Sequence, residues 1–386
     1  MHYYEPDDCF TRHLERKYAE RAVRVVKGKD GLGRVYFGDR RIRYISVTPT
    51  DFTSPPGAFA KFMAGLEERP IMENNTISPA QSHPEWVGDR KARLAQMDAQ
   101  NVEAAIMLPT LAVTVEYELK SDPDAAYAAI RAFNTWVEED WGFGQDRRIF
   151  GVAVLSLFDL DQALRELDRV IGRGAKLIWL RAGPINGRSL ADPYFDPFWA
   201  RIQEAGIRTI FHIGNSGYTD IYSGAWSEDP NPPSHKITAF QHMVCQFDRP
   251  VLDVLTAVIL QNLLGRFPKL QFMSIENGSD WVAYLLKRMD KSFRAQWRVP
   301  SIGGPLKDLP SDLFKQHVSV APFHEDDVMA LVGKIGAGRV LFGSDYPHPE
   351  GVAEPMEFLD KIESLPADAY RRVARSNTAA LLGLAA

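Results

Sequence analysis

The amino-acid sequence predicts an α/β protein, a (β/α)8 TIM barrel with a small β-hairpin insertion after its first strand. Short apolar segments recur along the chain with little polar alternation, which is typical of strands buried on both faces of a parallel sheet. The segments between them show helical spacing, as at residues 160–171 and 195–205. The length of 386 residues exceeds the roughly 250 residues of a simple barrel. We therefore expect residues 1–386 to form one barrel domain with insertions.

Seven apolar segments supply the predicted barrel strands that follow the first one. They are residues 102–108, 150–155, 176–180, 208–213, 270–275, 317–320 and 339–342. A strand at the very start of the chain completes the set of eight. Because helical segments alternate with these strands, each strand pair is expected to be parallel and joined by a right-handed crossover.

Two segments exceed what a plain barrel needs. Residues 20–50 alternate polar and apolar side chains around glycine-rich turns, which predicts the small β insertion. Residues 215–241 follow the fifth predicted strand and are rich in glycine, proline, serine and aromatic residues. A long loop after a barrel strand is a candidate lid over the substrate.

Composition and charge exclude several classes of protein. Lys plus Arg number 45 and Asp plus Glu number 50, so the net charge of −5 argues against a nucleic-acid partner. The two cysteines, Cys9 and Cys245, exclude a disulfide framework and favour a reducing compartment. The sequence contains neither a long apolar run nor a signal-peptide pattern, so we expect a cytoplasmic protein without membrane contact.

Polar side chains stand where several predicted strands end. His212, Glu276 and Asp345 each follow an apolar strand, and His2 lies at the start of the chain. Taken singly, each has an ordinary structural explanation, such as a turn or a helix cap. Active sites of these barrels lie at the carboxyl ends of the strands, so the side chains are expected to converge. Imidazole and carboxylate groups together form a ligand set for a divalent metal with an open water position.

Three segments resemble the amidohydrolase-related metal-dependent barrels. They are residues 211–214 (FHIG), 263–270 (LLGRFPKL) and 341–348 (LFGSDYPH), and the similarity spans almost the whole chain. Residues 93–102 (RLAQMDAQNV) strengthen the similarity to the branch that includes aminocarboxymuconate semialdehyde decarboxylase. The resemblance implies a small-molecule substrate, carboxylated or aromatic, and a homodimer.

The resemblance also implies which residues bind a metal. The family places two ligands spaced X-x-His on the first strand, a His on the fifth and an Asp on the eighth, which here match His2, His212 and Asp345. The first ligand of the pair would lie two positions before His2, so either the natural start is upstream or three protein ligands suffice. Family members with two metal ions carry a modified Lys at the end of the fourth strand. Lys176 lies at the start of that strand instead, which favours one divalent ion over two. Zinc is the first expectation, and manganese or iron also suit mixed nitrogen and oxygen ligands.

Glu276 marks a departure from the family pattern. Decarboxylases of this branch usually have a His at this point, whereas this chain has Glu276-Asn277-Gly278. A carboxylate there can act as a base, orient the metal-bound water, or take the vacant ligand position. We therefore expect Glu276 to be catalytic.

Arg181 and the aromatic residues of the loop are the candidate substrate contacts. Arg181 follows the fourth predicted strand and could bind a substrate carboxylate, or equally form a structural ion pair. Tyr218, Trp226 and His235 belong to the candidate lid and could form the wall of an aromatic site. These aromatic side chains could equally pack the loop against the barrel.

Three functions remain open from the sequence. The favoured one is hydrolysis of an amide, ester, thioester or lactone bond by a metal-bound water, with Asp345, Glu276 and Arg181 as catalytic residues. The loss of the usual His favours it slightly over non-oxidative decarboxylation of an aromatic or unsaturated acid. The third is a barrel without metal that acts as a binding protein.

Overall fold

The computed structural model describes residues 1–46, 48, 54–68, 85–234, 236–295 and 299–384. The strands are β1 (Val23–Lys27), β2 (Gly33–Phe37), β3 (Arg40–Arg41), β4 (Ala105–Met107), β5 (Ile149–Gly151), β6 (Ala153–Val154), β7 (Leu177–Trp179), β8 (Arg208–His212), β9 (Gln271–Ile275) and β10 (Val318–Val320). The α-helices are α1 (Ala60–Met63), α2 (Glu85–Gly88), α3 (Arg90–Ala99), α4 (Ala112–Val115), α5 (Pro123–Trp136), α6 (Leu160–Gly172), α7 (Asp196–Ala205), α8 (Ala239–Cys245), α9 (Asp248–Leu260), α10 (Leu263–Arg266), α11 (Trp281–Ala295), α12 (Pro310–His317), α13 (Val328–Ile335), α14 (Ala367–Arg371) and α15 (Asn377–Leu382).

A parallel sheet forms the centre of the molecule. Five strands lie side by side in the order β6, β7, β8, β9 and β10, and each pair is parallel. A second parallel pair joins β4 to β5. Only Val152 separates β5 from β6, and its N–H donates to the carbonyl of Met107 at 3.2 Å. The predicted α/β class with a parallel sheet is confirmed.

Single bridges extend the parallel pairing beyond the named strands. Val340 forms a parallel bridge with Val320, and His2 forms one with Leu108. The N–H of His2 also donates to the carbonyl of Tyr346 at 2.8 Å. Residues 339–342, which were predicted to be a strand, therefore form only a bridge. One paired residue is too short a stretch to count as a strand.

Helix α6 illustrates how the sequence determines the layer outside the sheet. The side chain of Asp159 accepts the N–H of Gln162 and caps the helix, while Ala163, Leu167 and Val170 are buried at helical spacing. The buried side chains of α6, of the other helices and of the strands form one continuous apolar core. No helix in the described ranges has both the length and the apolar character needed to cross a membrane.

The predicted β insertion is an antiparallel sheet near the chain start. Strand β1 pairs with β2 so that Val23 lies opposite Phe37 and Val25 opposite Val35. Short β3 adds a third strand beside β2, so the unit is a three-stranded sheet rather than a simple hairpin. Val23, Val35 and Phe37 are buried, so one face of the sheet joins the core.

Candidate metal centre

Four polar side chains meet at the carboxyl edge of the parallel sheet. His212 ends β8, and Glu276 directly follows β9. Asp345 follows the bridge at Val340, and His2 bridges to Leu108, the residue directly after β4. Nε2 of His212 lies 2.6 Å from Oε2 of Glu276 and 3.4 Å from Nε2 of His2. Nε2 of His2 lies 3.1 Å from Oε2 of Glu276 and 3.2 Å from Oδ1 of Asp345. The structure thus brings together the four residues that the sequence singled out, and we call them the four-residue cluster.

The backbone bends sharply at both carboxylates. Glu276 has a φ of 56° and Asp345 a φ of 52°, in the left-handed region that non-glycine residues seldom adopt. The side-chain amide of Asn277 clamps the first bend by donating to the carbonyls of Phe211 and Ile275, each at 2.9 Å. Such strain is often concentrated at functional sites, where the surrounding structure holds it in place.

A backbone hydrogen bond sets the tautomer of His212. Nδ1 of His212 lies 2.7 Å from the carbonyl of Ile213, so it carries the proton and Nε2 presents a lone pair. Oδ1 of Asp345 is buried and lies 3.2 Å from Nε2 of His2 and 3.1 Å from Nδ1 of His348, although neither contact has good hydrogen-bond geometry. Nitrogen and oxygen atoms of His2, His212, Glu276 and Asp345 therefore lie close together. His2, Glu276, Asp345 and His348 offer ligand atoms that all lie within 4.8 Å of one another. The residues present fit a divalent cation, which prefers this donor set.

Burial sets the protonation of the two imidazoles. It lowers the pKa of His212 to about 4 and lowers the pKa of His2 well below its ordinary value. Both rings are consequently neutral near pH 7, which is the form that binds a metal. Burial, helped by the nearby carboxylate of Asp345, raises the pKa of Glu276 well above its usual range.

His348 is the charged partner of Asp345. Its Nδ1 lies 3.1 Å from Oδ1 of Asp345. Burial alone would lower the pKa of His348, but the adjacent Asp345 carboxylate raises it to about 10. In return, although burial opposes it, the His348 ring holds the pKa of Asp345 well below its usual value. Asp345 is thereby kept ionised and ready to bind a cation.

Sequence reasoning missed Thr110 and Glu5, which connect the chain start to the loop after β4. Oγ1 of Thr110 lies within 3.3 Å of Nδ1 of His2 and 3.1 Å of Nε2 of His348. The buried carboxylate of Glu5 accepts the N–H groups of Thr110, Leu111 and Ala112. The position of Thr110 just after a predicted strand was the available signal. A threonine hydroxyl in that position does not by itself indicate metal binding or acid–base chemistry.

A cavity of about 760 Å³ adjoins the four-residue cluster. His2, Glu276 and Asp345 lie in its wall. The same cavity continues to the opposite edge of the sheet, beside the start of β4. Its wall includes the apolar side chains of Phe59, Met63, Ile213, Phe247 and Phe323 and the polar side chains of His242, His324, Glu325 and Glu350. A largely apolar cavity with some polar groups is typical of a small-molecule site.

Arg181 does not contact this cavity. Its Nε donates to Glu116 at 2.9 Å, and its other nitrogens donate to the carbonyls of Ser216 and Pro184 at 2.7 and 2.9 Å. Both charged side chains are almost fully buried. The structural ion pair, one of the two interpretations of Arg181, therefore fits the structure, and the predicted catalytic and substrate-binding role does not.

The lid aromatics also lie away from the cavity. The hydroxyl of buried Tyr218 donates to Asp253 at 3.1 Å, and Trp226 is 68% exposed. Neither residue belongs to the cavity wall, so the prediction that they form it is wrong. Tyr218 is buried away from the cavity, and Trp226 faces outward. His235 lies outside the described residues. His242 and Phe247, just beyond the predicted lid, form the wall instead.

Comparison with known proteins identifies the family. The amidohydrolase family model (Amidohydro_2) matches residues 79–384. An amidohydrolase from Mycobacterium avium subsp. paratuberculosis K-10 has a similar structure, with 36% identity, a TM-score of 0.89, and coverage of 99% of this chain and 97% of that one.

Two further relatives are decarboxylases. Gamma-resorcylate decarboxylase from Polaromonas sp. is 24% identical over 324 residues, which is 78% of this chain and 91% of that protein. A dihydroxybenzoic acid decarboxylase from Polaromonas sp. JS666, solved with manganese and the inhibitor 2-nitroresorcinol, has 17% identity, a TM-score of 0.58, and coverage of 84% and 93%. The second likeness shows the fold alone. The family match and the mycobacterial relative together confirm the resemblance, and this chain belongs to the amidohydrolase family.

Proposed function

We propose that this protein is a metal-dependent decarboxylase that removes carbon dioxide from an aromatic carboxylic acid. The observation that carries the proposal is the four-residue cluster, whose nitrogen and oxygen atoms lie close together beside a largely apolar cavity. Two relatives named as decarboxylases of aromatic acids support this chemistry over hydrolysis, which the sequence alone had favoured.

One divalent ion is proposed at the cluster, bound by His2, His212 and Asp345. The manganese in the dihydroxybenzoic acid decarboxylase makes Mn²⁺ the first candidate in place of zinc. The ion would polarise a substrate oxygen and so stabilise negative charge as the carboxyl group leaves. Asp345, kept ionised by His348, would help hold the ion in the cavity wall.

Glu276 is the proposed proton donor. When carbon dioxide leaves, the bond between the ring carbon and the carboxyl carbon breaks, and its electron pair stays on the ring carbon. A proton from Oε2 of Glu276 then forms the new C–H bond, and water restores the proton. The step requires a protonated carboxyl, and in the site without an ion burial beside Asp345 raises the pKa of Glu276. Apolar neighbours such as Phe247 and Phe323 would exclude water from the ring.

Hydrolysis is the second candidate. It is favoured by one observation, the carboxylate of Glu276 where the decarboxylase branch usually has a His. An ionised Glu276 would serve as the base toward an attacking water. A third possibility, a binding barrel without metal, predicts that the purified chain holds no ion.

We also propose that the parallel pairs close into an eight-stranded barrel. Support comes from the bridge of Val340 with Val320, the bridge of His2 with Leu108, and the 2.8 Å bond from His2 N–H to Tyr346. These contacts link the last strand to the first through the chain start. A single domain over residues 1–386, a lid at residues 215–241, a homodimer and a cytoplasmic location remain predictions.

The test is a carbon dioxide assay on protein stripped by a chelator and reloaded with Mn²⁺. The manganese form, but not the stripped form, should release carbon dioxide from 2,6-dihydroxybenzoate or a related phenolic acid. A parallel panel of esters, amides and lactones covers the second candidate. If the protein cleaves a member of this panel and releases carbon dioxide from none of the acids, hydrolysis would replace decarboxylation as the proposed function.

A further inference from the structure

Thr110 lies where three parts of the proposed site meet. Its Oγ1 is 3.3 Å from Nδ1 of His2, 3.1 Å from Nε2 of His348 and 3.1 Å from the carbonyl of Tyr3. Through His2 it touches the chain start, and through His348 it touches the loop that carries Asp345. Thr110 itself belongs to the loop after β4, so one hydroxyl connects three segments that are distant in sequence.

The hydrogen bond from Thr110 to the carbonyl of Tyr3 assigns a direction to the other two. A threonine hydroxyl has one proton to donate and lone pairs to accept with. The carbonyl of Tyr3 can only accept, so the Thr110 proton goes there. Thr110 must then accept from both rings, which places a proton on Nδ1 of His2 and another on Nε2 of His348.

The consequence for His2 is a defined tautomer. A neutral imidazole with its proton on Nδ1 has a lone pair on Nε2. That Nε2 faces Glu276 and Asp345, at 3.1 and 3.2 Å. The consequence for His348 is a fixed ring whose Nδ1 faces Oδ1 of Asp345 at 3.1 Å.

We propose that Thr110 is a positioning residue, whose hydroxyl holds His2 in the metal-binding tautomer and holds His348 against Asp345. The inference rests on the proposed metal site and adds a residue that touches neither metal nor substrate. Hydrogen-bond partners of metal ligands typically change metal affinity or activity by about 10- to 100-fold when removed.

The loop itself is built to keep the hydroxyl in place. The carboxylate of Glu5 accepts the N–H groups of Thr110 at 3.1 Å, Leu111 at 2.8 Å and Ala112 at 3.1 Å. Glu5 follows His2 by three residues, so the same short segment supplies one metal ligand and the clamp for the residue that orients it.

The experiment compares Thr110→Val, which keeps the side-chain shape, with Thr110→Ser, which keeps the hydroxyl. Manganese dissociation constants are measured by titration, and nitrogen NMR of the metal-free protein reports the tautomer of His2. We expect Thr110→Val to weaken manganese binding about 10- to 100-fold and to lose the single tautomer, and Thr110→Ser to restore both. Thr114→Val is the matched control, because that hydroxyl donates to the carbonyl of Leu111 at 2.6 Å.

Each result has a distinct meaning. Unchanged manganese affinity in Thr110→Val overturns the proposal. The proposal is also overturned if Thr110→Ser loses as much manganese affinity as Thr110→Val, because side-chain packing rather than hydrogen bonding would then be responsible. If Thr110→Val fails to fold, the serine variant and the NMR of the parent still test the tautomer. Absence of manganese binding in the parent protein would instead contradict the proposed metal site.

Discussion

At the scale of single residues, the strand ends were the informative positions. His212, Glu276 and Asp345 could be predicted to converge, because carboxyl ends of parallel strands share one edge of a sheet. Arg181 satisfied the same rule, but its long side chain turned to Glu116 instead. The direction of a side chain depends on packing that the sequence does not display. Thr110 and His348 acquire roles only through hydrogen bonds across distant segments.

His212 is the residue whose removal should empty the proposed metal site. We expect His212→Ala to lose manganese while keeping its melting temperature within a few degrees, because the ring ends a strand and faces the cluster. Metal analysis of the purified variant checks this, with His317→Ala as a control imidazole outside the cluster. Full metal content in His212→Ala would show the ligand assignment to be wrong.

Glu276 should matter more for rate than for folding. We expect Glu276→Gln to lower turnover by at least about 10²-fold, which is typical for the loss of an acid–base group. Metal content and melting temperature should change little. The measurement is steady-state turnover with an accepted acid, beside thermal unfolding. A large loss of stability with normal activity in the folded fraction would indicate a structural carboxylate instead.

At the scale of elements, helices and strand order were predictable and strand bounds were not. The apolar spacing of α6 and its Asp159 cap are local signals, and they placed that helix within a residue or two. Strand limits depend on how far two neighbours pair. The segment at residues 339–342 reaches only a bridge at Val340 because its partner β10 is short.

The buried pair of Arg181 and Glu116 should act on stability alone. Arg181→Met would leave Glu116 buried without its charged partner, and breaking such a pair typically costs about 3–5 kcal/mol. We expect a marked loss of unfolding free energy in urea, with manganese affinity unchanged in the folded fraction. Arg201→Met is the control, because its pair with Asp168 is solvent-exposed and contributes little. Weakened manganese or substrate binding at normal stability would restore Arg181 to the site.

At the scale of the whole molecule, metal binding should stabilise the fold. The proposed ligands come from the chain start, β8 and the segment after Val340, so an ion would join distant parts of the chain. A ligand at 100 times its dissociation constant adds about 2.7 kcal/mol to the folded state. We expect Mn²⁺ to raise the melting temperature and a chelator to reverse the rise. The same titration on His212→Ala should show no shift, and an equal shift there would place the binding elsewhere.

The metal centre is the central claim, and a manganese-soaked crystal tests it most directly. Anomalous scattering at the manganese edge locates the ion without reference to activity. We predict one strong peak within bonding distance of Nε2 of His2, Nε2 of His212 and a carboxylate oxygen of Asp345. No peak at the four-residue cluster, or a peak bound by other residues, would contradict the account.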